Sequence, residues 1–251
     1  MLLSQDLVME TCLLAGEIML RSGAETYRVE DTMALIAKAA NMDGVHSSCT
    51  PTSIIFSFCA GNSDRTRMIR VKDRTFDLNK VTMVNEVSRR FVSGSITLHD
   101  AYQRLQAINQ MKSLYPAWLQ HMAAGLASGS FTVLIGGTVL DFFPTILAAI
   151  LVNLGVFYFQ QVLQVKFFAE FMAGLFGGFI TLLSFRMIPG LHLDLMLIGT
   201  MIPLFPGIII TNSLRDLMAG DYVAGVTRGA EAILTALSVA LAAAIVLSFA
   251  R

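Results

Sequence analysis

The chain has 251 residues, of which 55% are hydrophobic and only 14% are charged, and its formal net charge is zero. Soluble domains carry about 25% charged residues on average, so this composition argues against a chain that is soluble throughout. A neutral chain also lacks the excess of basic residues that marks nucleic-acid-binding proteins, and we expect no nucleic-acid partner.

The charged residues are unevenly distributed along the chain. Residues 1–115 hold 13 of the 18 lysines and arginines and 12 of the 18 aspartates and glutamates. Residues 116–251 hold the other five basic and six acidic residues. We therefore predict an N-terminal soluble α+β domain over residues 1–115 and a membrane α-helical bundle over residues 116–251.

Three cysteines, Cys12, Cys49 and Cys59, lie in the first part of the chain without a CxxC spacing and without a histidine pattern beside them. Cysteines in such a pattern usually behave as small buried hydrophobic residues in a reducing compartment, and they rarely form disulfides or bind metals. The sequence also lacks a nucleophile paired with a base. It predicts no metal, no cofactor and no enzymatic activity.

The first 115 residues predict two helices, a small sheet and two further helices. Apolar residues recur at helical spacing from Val8 to Met19, and a second helix is predicted over residues 26–41. Short runs rich in β-branched and aromatic residues at 45–50, 54–59 and 66–71 predict an antiparallel sheet. Helices are predicted over 78–91 and 98–109, and Thr97 and Asp100 have the spacing of a capping box before the second of them.

The second part of the chain predicts five membrane-spanning helices, each near the roughly 20 residues that a bilayer requires. The first contains Gly125 and Gly129, a GxxxG spacing that lets helix backbones approach closely. Basic residues are concentrated before the first span, which predicts that the N-terminal domain lies on the cytoplasmic side of the membrane. The predicted spans are 118–137, 142–163, 167–188, 193–211 and 222–249.

The fourth span is interrupted by Pro203 and by the pair Pro206 and Gly207. Proline removes a backbone donor and breaks a helix, and a broken helix at membrane depth persists only where protein or a water-filled cavity surrounds it. Discontinuous helices of this kind hold substrate and ion sites in transporters. We therefore predict a transport protein whose gate or hinge includes this break. The Arg215 and Asp216 pair beyond it is either part of the gate or a cytoplasmic anchor.

Polar side chains within the predicted spans are candidates for substrate binding and proton coupling, because such groups are costly in lipid. Asn153 either bonds a neighbouring helix or binds substrate. Glu170 either pairs with Lys166, four residues earlier, or carries a coupling proton. Asp194 either lies in water at the exterior mouth or accepts a proton or a substrate ammonium group.

Further candidates lie after the break. Thr211 and Asn212 offer a hydroxyl and an amide suited to a small polar solute, or to a helix end. Arg228 and Glu231 are three residues apart on the fifth span and therefore share a face. Either they neutralise each other, or Arg228 binds a substrate carboxylate while Glu231 binds an ammonium group or a proton.

Two segments resemble the threonine/serine exporter family. The first runs LLAGEIMLRSGAETYRVEDTMALIAKAANMDGVHSSCTPTSIIFS and contains the Ser22–Glu25 turn, followed by a helix that ends in Met-Asp before a strand. The second begins at Pro206 and runs PGIIITNSLRDLMAGDYVAGVTRGAEA. The two motifs stand in the family's order, and the resemblance covers nearly the whole chain.

The resemblance implies the partners and the energy source. Members of that family carry two membrane modules in one chain or divide them between two chains. This chain resembles the longer subunit of the divided type, which implies a separate small membrane partner of roughly 150 residues. The divided systems resemble both amino-acid exporters and a dicarboxylate (succinate) exporter, and the family is thought to use the proton-motive force.

Together these observations predict a subunit of a secondary exporter of small polar metabolites, first of all threonine and serine. It would work in the lipid bilayer with its small partner, and association with copies of itself is left open. A dicarboxylate exporter, in which Arg228 and Arg215 would matter for the substrate, is the alternative within transport. A membrane assembly or regulatory subunit that does not transport is the alternative from another class.

Overall fold

The computed structural model describes residues 2–61, 63–72, 74–112 and 114–250. This part of the chain is mostly helical and contains one small three-stranded sheet. It folds as two compact units. Unit 1 comprises Met1–Ser113 and Ile209–Gly229, and unit 2 comprises Leu114–Ile208 and Ala230–Arg251. The segment Ile209–Gly229, which was predicted to belong to the membrane half, is therefore grouped with the N-terminal residues.

The N-terminal part of unit 1 has the predicted order of elements. Its helices are α1 (Leu2–Arg21), α2 (Thr26–Ala39), α3 (Leu78–Val92) and α4 (Leu98–Gln110). Its strands are β1 (Asp43–Thr50), β2 (Ser53–Ala60) and β3 (Ser63–Arg70). The strands pair antiparallel in the order β1-β2-β3, which confirms the predicted small sheet.

Strand β2 supplies the apolar face of this sheet. Ile54, Phe56 and Phe58 are fully buried, whereas Ile55 between them is 44% exposed. Successive side chains of a strand point to opposite faces, so the alternation results from the strand itself. The three buried side chains belong to the core cluster that α1, α2, α3 and α4 complete.

The start of α4 has the predicted capping box. The Thr97 hydroxyl accepts from the Asp100 backbone N–H at 3.2 Å, and the Asp100 carboxylate accepts from the Thr97 N–H at 3.2 Å. These two bonds satisfy donors that a helix end leaves without an intrahelical partner.

The cysteines behave as two buried residues and one partly exposed one. Cys12 on α1 and Cys49 on β1 are buried, and burial raises the pKa of both thiols. Cys59 is half-buried and donates to Asp64 Oδ1 at 2.8 Å. All three are free thiols.

The remaining helices carry the apolar part of the chain. They are α5 (Ala117–Leu134), α6 (Val139–Leu163), α7 (Lys166–Met187), α8 (Leu193–Met201), α9 (Gly207–Ala219) and α10 (Tyr222–Ser248), with a 3₁₀ turn at Ile202–Leu204 between α8 and α9. Among the described residues, α6, α7 and α10 are long and apolar enough to cross a membrane. A fourth span results if α8, the 3₁₀ turn and α9 are counted together.

Helix α5, the first predicted span, is not among these helices, since its 18 residues include polar side chains such as Gln120 and His121. It nevertheless packs closely on α6 through Gly125 and Gly129, as the GxxxG spacing predicts. A Cβ atom at position 125 would lie 2.9 Å from the Ile146 carbonyl oxygen, and one at position 129 would lie 3.0 Å from that of Phe142. Only glycine permits this approach of the two backbones.

The predicted break lies between Leu204 and Gly207, and the chain bends there by 60°. Phe205 has an extended backbone with ψ of 125°, because a residue before proline is excluded from the helical region. The sequence predicted a connecting loop over residues 212–221 between the fourth and fifth spans, and this was wrong for residues 212–219. Helix α9 continues to Ala219, since no helix breaker occurs before Gly220, whose φ is +92°.

Candidate functional site

A buried polar network in unit 1 joins the two motifs that the sequence singled out. The turn between α1 and α2, residues 22–26 (the 22–26 turn), presents backbone carbonyl oxygens to α9 and α10. Asn212 Nδ2 donates to the Gly23 oxygen at 2.8 Å, and an Arg228 guanidinium N–H donates to the Ala24 oxygen at 2.9 Å. Both side chains, predicted as substrate ligands, are buried against the turn.

Asp216 is the centre of this network and is fully buried. Its Oδ1 accepts from the Thr26 backbone N–H at 3.1 Å and from the Thr26 hydroxyl at 2.9 Å. Its Oδ2 lies 3.3 Å from Arg228 Nε. The carboxylate therefore has both an opposite charge and neutral donors, which a buried charge needs to be tolerated.

The position of Asp216 also solves a capping problem at the start of α2. Glu25 is the N-cap residue of that helix, but its side chain makes no capping hydrogen bond. Asp216 takes over this role from α9, because it accepts from the N–H of Thr26, the first residue of α2. A negative charge there also interacts favourably with the helix dipole. The Thr26 hydroxyl additionally lies 3.1 Å from Asp221 Oδ2, at the beginning of α10.

A second ion pair forms beside this centre. Glu25 pairs with Arg215 of α9 through one carboxylate oxygen and with Arg28 of α2 through the other, at 3.3 Å. Burial alone would raise the pKa of Glu25. Its own backbone N–H, the hydrogen bond from Arg215 and the charges of Arg28 and Arg215 outweigh burial and lower the pKa below its ordinary value. Thus Arg215 and Asp216, predicted as a gate or an anchor, both hold the 22–26 turn.

The Glu25 pKa gives a prediction with a definite sign. Because this pKa is lower in the folded chain than its ordinary value of 4.5, ionised Glu25 stabilises the fold above that pH, and the contribution is lost as the pH falls further. We expect Glu25→Gln to lower the melting temperature of the purified protein at about pH 7 and to lower it less at about pH 4. An equal decrease in melting temperature at both pH values would contradict a lowered pKa of Glu25.

Glu30 serves as the matched control of opposite sign. Burial raises the pKa of Glu30 and outweighs the hydrogen bond from the Cys49 N–H, while the nearby charge of Asp221 raises it further. The ionised form is therefore disfavoured by folding, and Glu30→Gln is expected to stabilise the protein at about pH 7 relative to about pH 4.

Unit 2 contains a separate charged cluster on α7 and α10. Lys166 Nζ lies 2.7 Å from Glu231 Oε1 and 3.9 Å from Glu170 Oε1. The sequence predicted the pair of Lys166 with Glu170, but the shorter contact is the one to Glu231. Arg228 and Glu231 were predicted either to neutralise each other or to bind substrate, and both alternatives stay predictions. Lys166 is one partner of Glu231, and Asp216 is one partner of Arg228.

The other predicted site residues have separate surroundings. Asn153 Oδ1 lies 3.1 Å from His121 Nδ1 of α5, so that it links two helices of unit 2. Asp194 is exposed in the first turn of α8, and Thr211 is exposed on α9. At the break, Pro206 is buried and Pro203 is half-buried. Their roles in binding, coupling and gating stay predictions.

Sequence reasoning missed two features. Thr26 was not considered, although it comes directly after the Ser22–Glu25 motif. Asp141 was treated as a loop residue, but it is fully buried and accepts from the Thr138 N–H at 2.7 Å and from the His192 N–H at 2.8 Å. Its carboxylate also lies 3.0 Å from His192 Nδ1. The Thr138-x-x-Asp141 spacing before an apolar run was the available signal, since it is that of a capping box.

Comparison with known proteins identifies similar chains. A Klebsiella aerogenes protein named "Probable succinate transporter subunit YjjP" is 24% identical over 247 residues, which cover 93% of this chain and 90% of that protein. The Escherichia coli K12 protein of the same name is 24% identical over 247 residues, which cover 93% and 91% of the two chains. No solved structure matches the chain.

A longer protein also matches. A Mycobacterium tuberculosis protein named "Probable threonine/serine exporter" is 24% identical over 230 residues, which cover 90% of this chain and 43% of that protein. The sequence model of the family described as "Putative threonine/serine exporter" matches residues 10–250. Because this match includes both motifs and nearly every residue between the termini, the chain belongs to the threonine/serine exporter family.

Proposed function

We propose that this chain is a subunit of a secondary exporter that moves small polar metabolites, first of all threonine and serine, out of the cell. Membership of an exporter family supports a transport function and is consistent with a non-enzymatic role. Three or four apolar helices of sufficient length support a membrane protein.

The broken helix is the structural observation that carries this proposal. The segment from Leu193 to Ala219 is apolar and long enough to count as a span, yet it bends by 60° at its prolines. Discontinuous helices leave backbone groups unpaired and form substrate and ion sites in transporters. Buried polar residues come soon after the break, with Asn212 and Asp216 on α9 and Arg228 on α10.

In this proposal the hinge consists of Pro203, Pro206 and Gly207. Arg215 and Asp216 transmit the position of α9 to the 22–26 turn, because their side chains bond that turn directly. Glu170 and Glu231 carry the coupling protons, and Asp194 is a further candidate for this role. Asn153, which is half-buried, and Thr211, which is exposed, remain candidate substrate ligands.

The proposed architecture has five membrane spans, which include α5 and the bent segment of α8 and α9. The protein lies in the bacterial inner membrane, and its N-terminal domain lies on the cytoplasmic side. A small membrane subunit of the same family completes the transporter. The relatives that this chain covers over 90% and 91% of their length are named as subunits, which supports a divided system.

Efflux measurements test this proposal directly. Cells that lack their own exporters are loaded with threonine, and its release is measured with this chain alone, with its small membrane partner alone and with both. We expect release only when both are present, and we expect a proton uncoupler to abolish it. Efflux from cells that hold the partner alone would instead favour a regulatory or assembly role for this chain.

A dicarboxylate is the second candidate substrate. It is favoured by the name of the relatives that match over nearly their whole length, which refers to succinate. The same cells loaded with succinate separate the two possibilities. Release of succinate without release of threonine or serine would replace the first proposal by the second.

A further inference from the structure

A cleft of about 350 Å³ lies in unit 1 between α1, β3 and α4, and we call it the α1/α4 cleft. Its first wall is one face of α1, because the residues that line it there have helical spacing: Glu10, Leu13, Leu14 and Glu17. Its second wall is β3 with Arg67 and Ile69, and its third wall is α4 with Tyr102 and Gln106. Small-molecule sites have volumes from about 300 Å³ upwards, so the cleft is large enough for an amino acid.

The charged residues of α1 and β3 follow a common register. Asp6 of α1 forms an ion pair with Arg65 of β3. One helical turn leads from Asp6 to Glu10 and covers about 6 Å, and two strand residues lead from Arg65 to Arg67 over a similar distance. Since Glu10 and Arg67 both line the cleft, the two elements advance together, and Glu10 lies at the level of Arg67.

The second ion pair that this register prepares is not formed. Neither Glu10 nor Arg67 has an ion pair or a hydrogen bond with another described residue. Both side chains are exposed, so a ligand can reach them. Glu17, the other carboxylate of the cleft, already has Arg21 as a partner at 3.6 Å. The cleft therefore presents one carboxylate and one guanidinium group on two different walls.

The lining also includes an apolar surface. Leu13 is buried, and Leu14 and Ile69 are half-buried. The half-buried Tyr102 and the exposed Gln106 of α4 add a hydroxyl and an amide that can form hydrogen bonds. Apolar walls with a few polar groups that fix the orientation are typical of small-molecule sites.

We propose that the α1/α4 cleft binds a zwitterionic amino acid with an apolar side chain, of the kind of leucine. The Arg67 guanidinium group binds the ligand carboxylate, for which its paired N–H donors have the matching geometry. Glu10 accepts hydrogen bonds from the ligand ammonium group, and the ligand side chain packs on Leu13 and Ile69. A ligand with one of the two charges would leave either Glu10 or Arg67 without a partner. This inference goes beyond the proposed function and does not depend on it, because leucine is not the proposed export substrate.

Isothermal titration calorimetry of the full chain, purified in detergent without its small membrane partner, tests the chemistry of the site. Three probes share one side chain. Leucine has both charges, isoamylamine is leucine without the carboxylate, and isocaproate is leucine without the ammonium group. We expect leucine to bind with a dissociation constant below about 1 mM and each of the other two probes to bind at least about tenfold more weakly.

Substitutions locate the binding in the cleft. Glu10→Gln and Arg67→Gln each remove one charge and keep a side chain that can form hydrogen bonds, and we expect each to weaken leucine by about tenfold. Arg70→Gln is the matched control, since Arg70 is an exposed arginine of the same strand on the opposite face of the sheet from Arg67. It should leave the affinity unchanged. The melting temperature of each variant without ligand shows that it is folded.

The outcomes separate this inference from the proposed function. Absence of leucine binding, equal binding of isoamylamine or isocaproate, or an unchanged affinity in either Glu10→Gln or Arg67→Gln would overturn the amino-acid site and leave the exporter intact. Cells that release neither threonine nor serine would overturn the proposed export of these amino acids and leave the cleft intact. Leucine binding that both substitutions weaken and Arg70→Gln does not weaken supports the site.

Discussion

Replacing Asp216 by alanine is expected to cause one of the two largest losses of stability and transport in this protein. The substitution leaves Arg228, 6% exposed, without the Asp216 carboxylate. It also removes the acceptor of the Thr26 backbone N–H and one of the two acceptors of the Thr26 hydroxyl. Breaking a buried ion pair by removing one partner costs about 3–5 kcal/mol. Because α2 also loses its N-terminal cap, we expect the substitution to destabilise the whole of unit 1.

Thermal unfolding of the purified protein measures this effect. Asp216→Ala should lower the melting temperature strongly, and Asp216→Ala combined with Arg228→Met should lower it less, since the double substitution removes both members of the buried ion pair. Glu86→Ala is the surface control. Its partner Arg90 lies at 2.5 Å, but both side chains are about half exposed, and such a pair contributes less than about 1 kcal/mol. Equal melting temperatures of Asp216→Ala and Glu86→Ala would contradict the proposed role of Asp216.

Much of this network could be recognised from the sequence, but its connections could not. The motif around Ser22–Glu25 and the segment after Pro206 both stood out, and their residues were proposed as turn, gate and ligands. Asn212 and Gly23, however, are 189 positions apart, and nothing in a single sequence indicates that one donates to the other. A carboxylate that caps a helix from another helix has no local signal at all.

The elements that were predicted correctly depend on short-range patterns. The antiparallel sheet, the capping box at Thr97 and the close packing at Gly125 and Gly129 each depend on residues within a few positions of one another. The same range limited another prediction. The spacing of four residues indicated the pair of Lys166 with Glu170, which forms at 3.9 Å, but the spacing rule considers only one helix and could not indicate the closer carboxylate, Glu231 of α10.

Gly199→Ala is the second substitution with a large expected effect. A Cβ atom at position 199 of α8 would lie 1.8 Å from the Thr132 hydroxyl oxygen and 3.1 Å from the Ser128 carbonyl oxygen. Thr132 is fully buried and its hydroxyl donates to that same carbonyl at 3.1 Å, so it cannot turn away without losing a bond. Overpacking of this kind costs about 1–3 kcal/mol. Since α8 leads into the break, we expect threonine efflux to fall by about tenfold at equal protein abundance.

The cause can be isolated by a compensating change. Thr132→Ala removes the hydroxyl oxygen that the new methyl group would strike, so the combination with Gly199→Ala should recover most of the efflux. Gly155→Ala on α6 is the matched control, because its Cβ atom would make an ordinary contact of 3.4 Å with Ala173 Cβ. If the double variant stays as inactive as Gly199→Ala, the collision with Thr132 is not the reason for the loss. If the double variant recovers efflux, transport depends on how α8 packs on α5. The helix break would then depend on the packing of α8, the helix that precedes it.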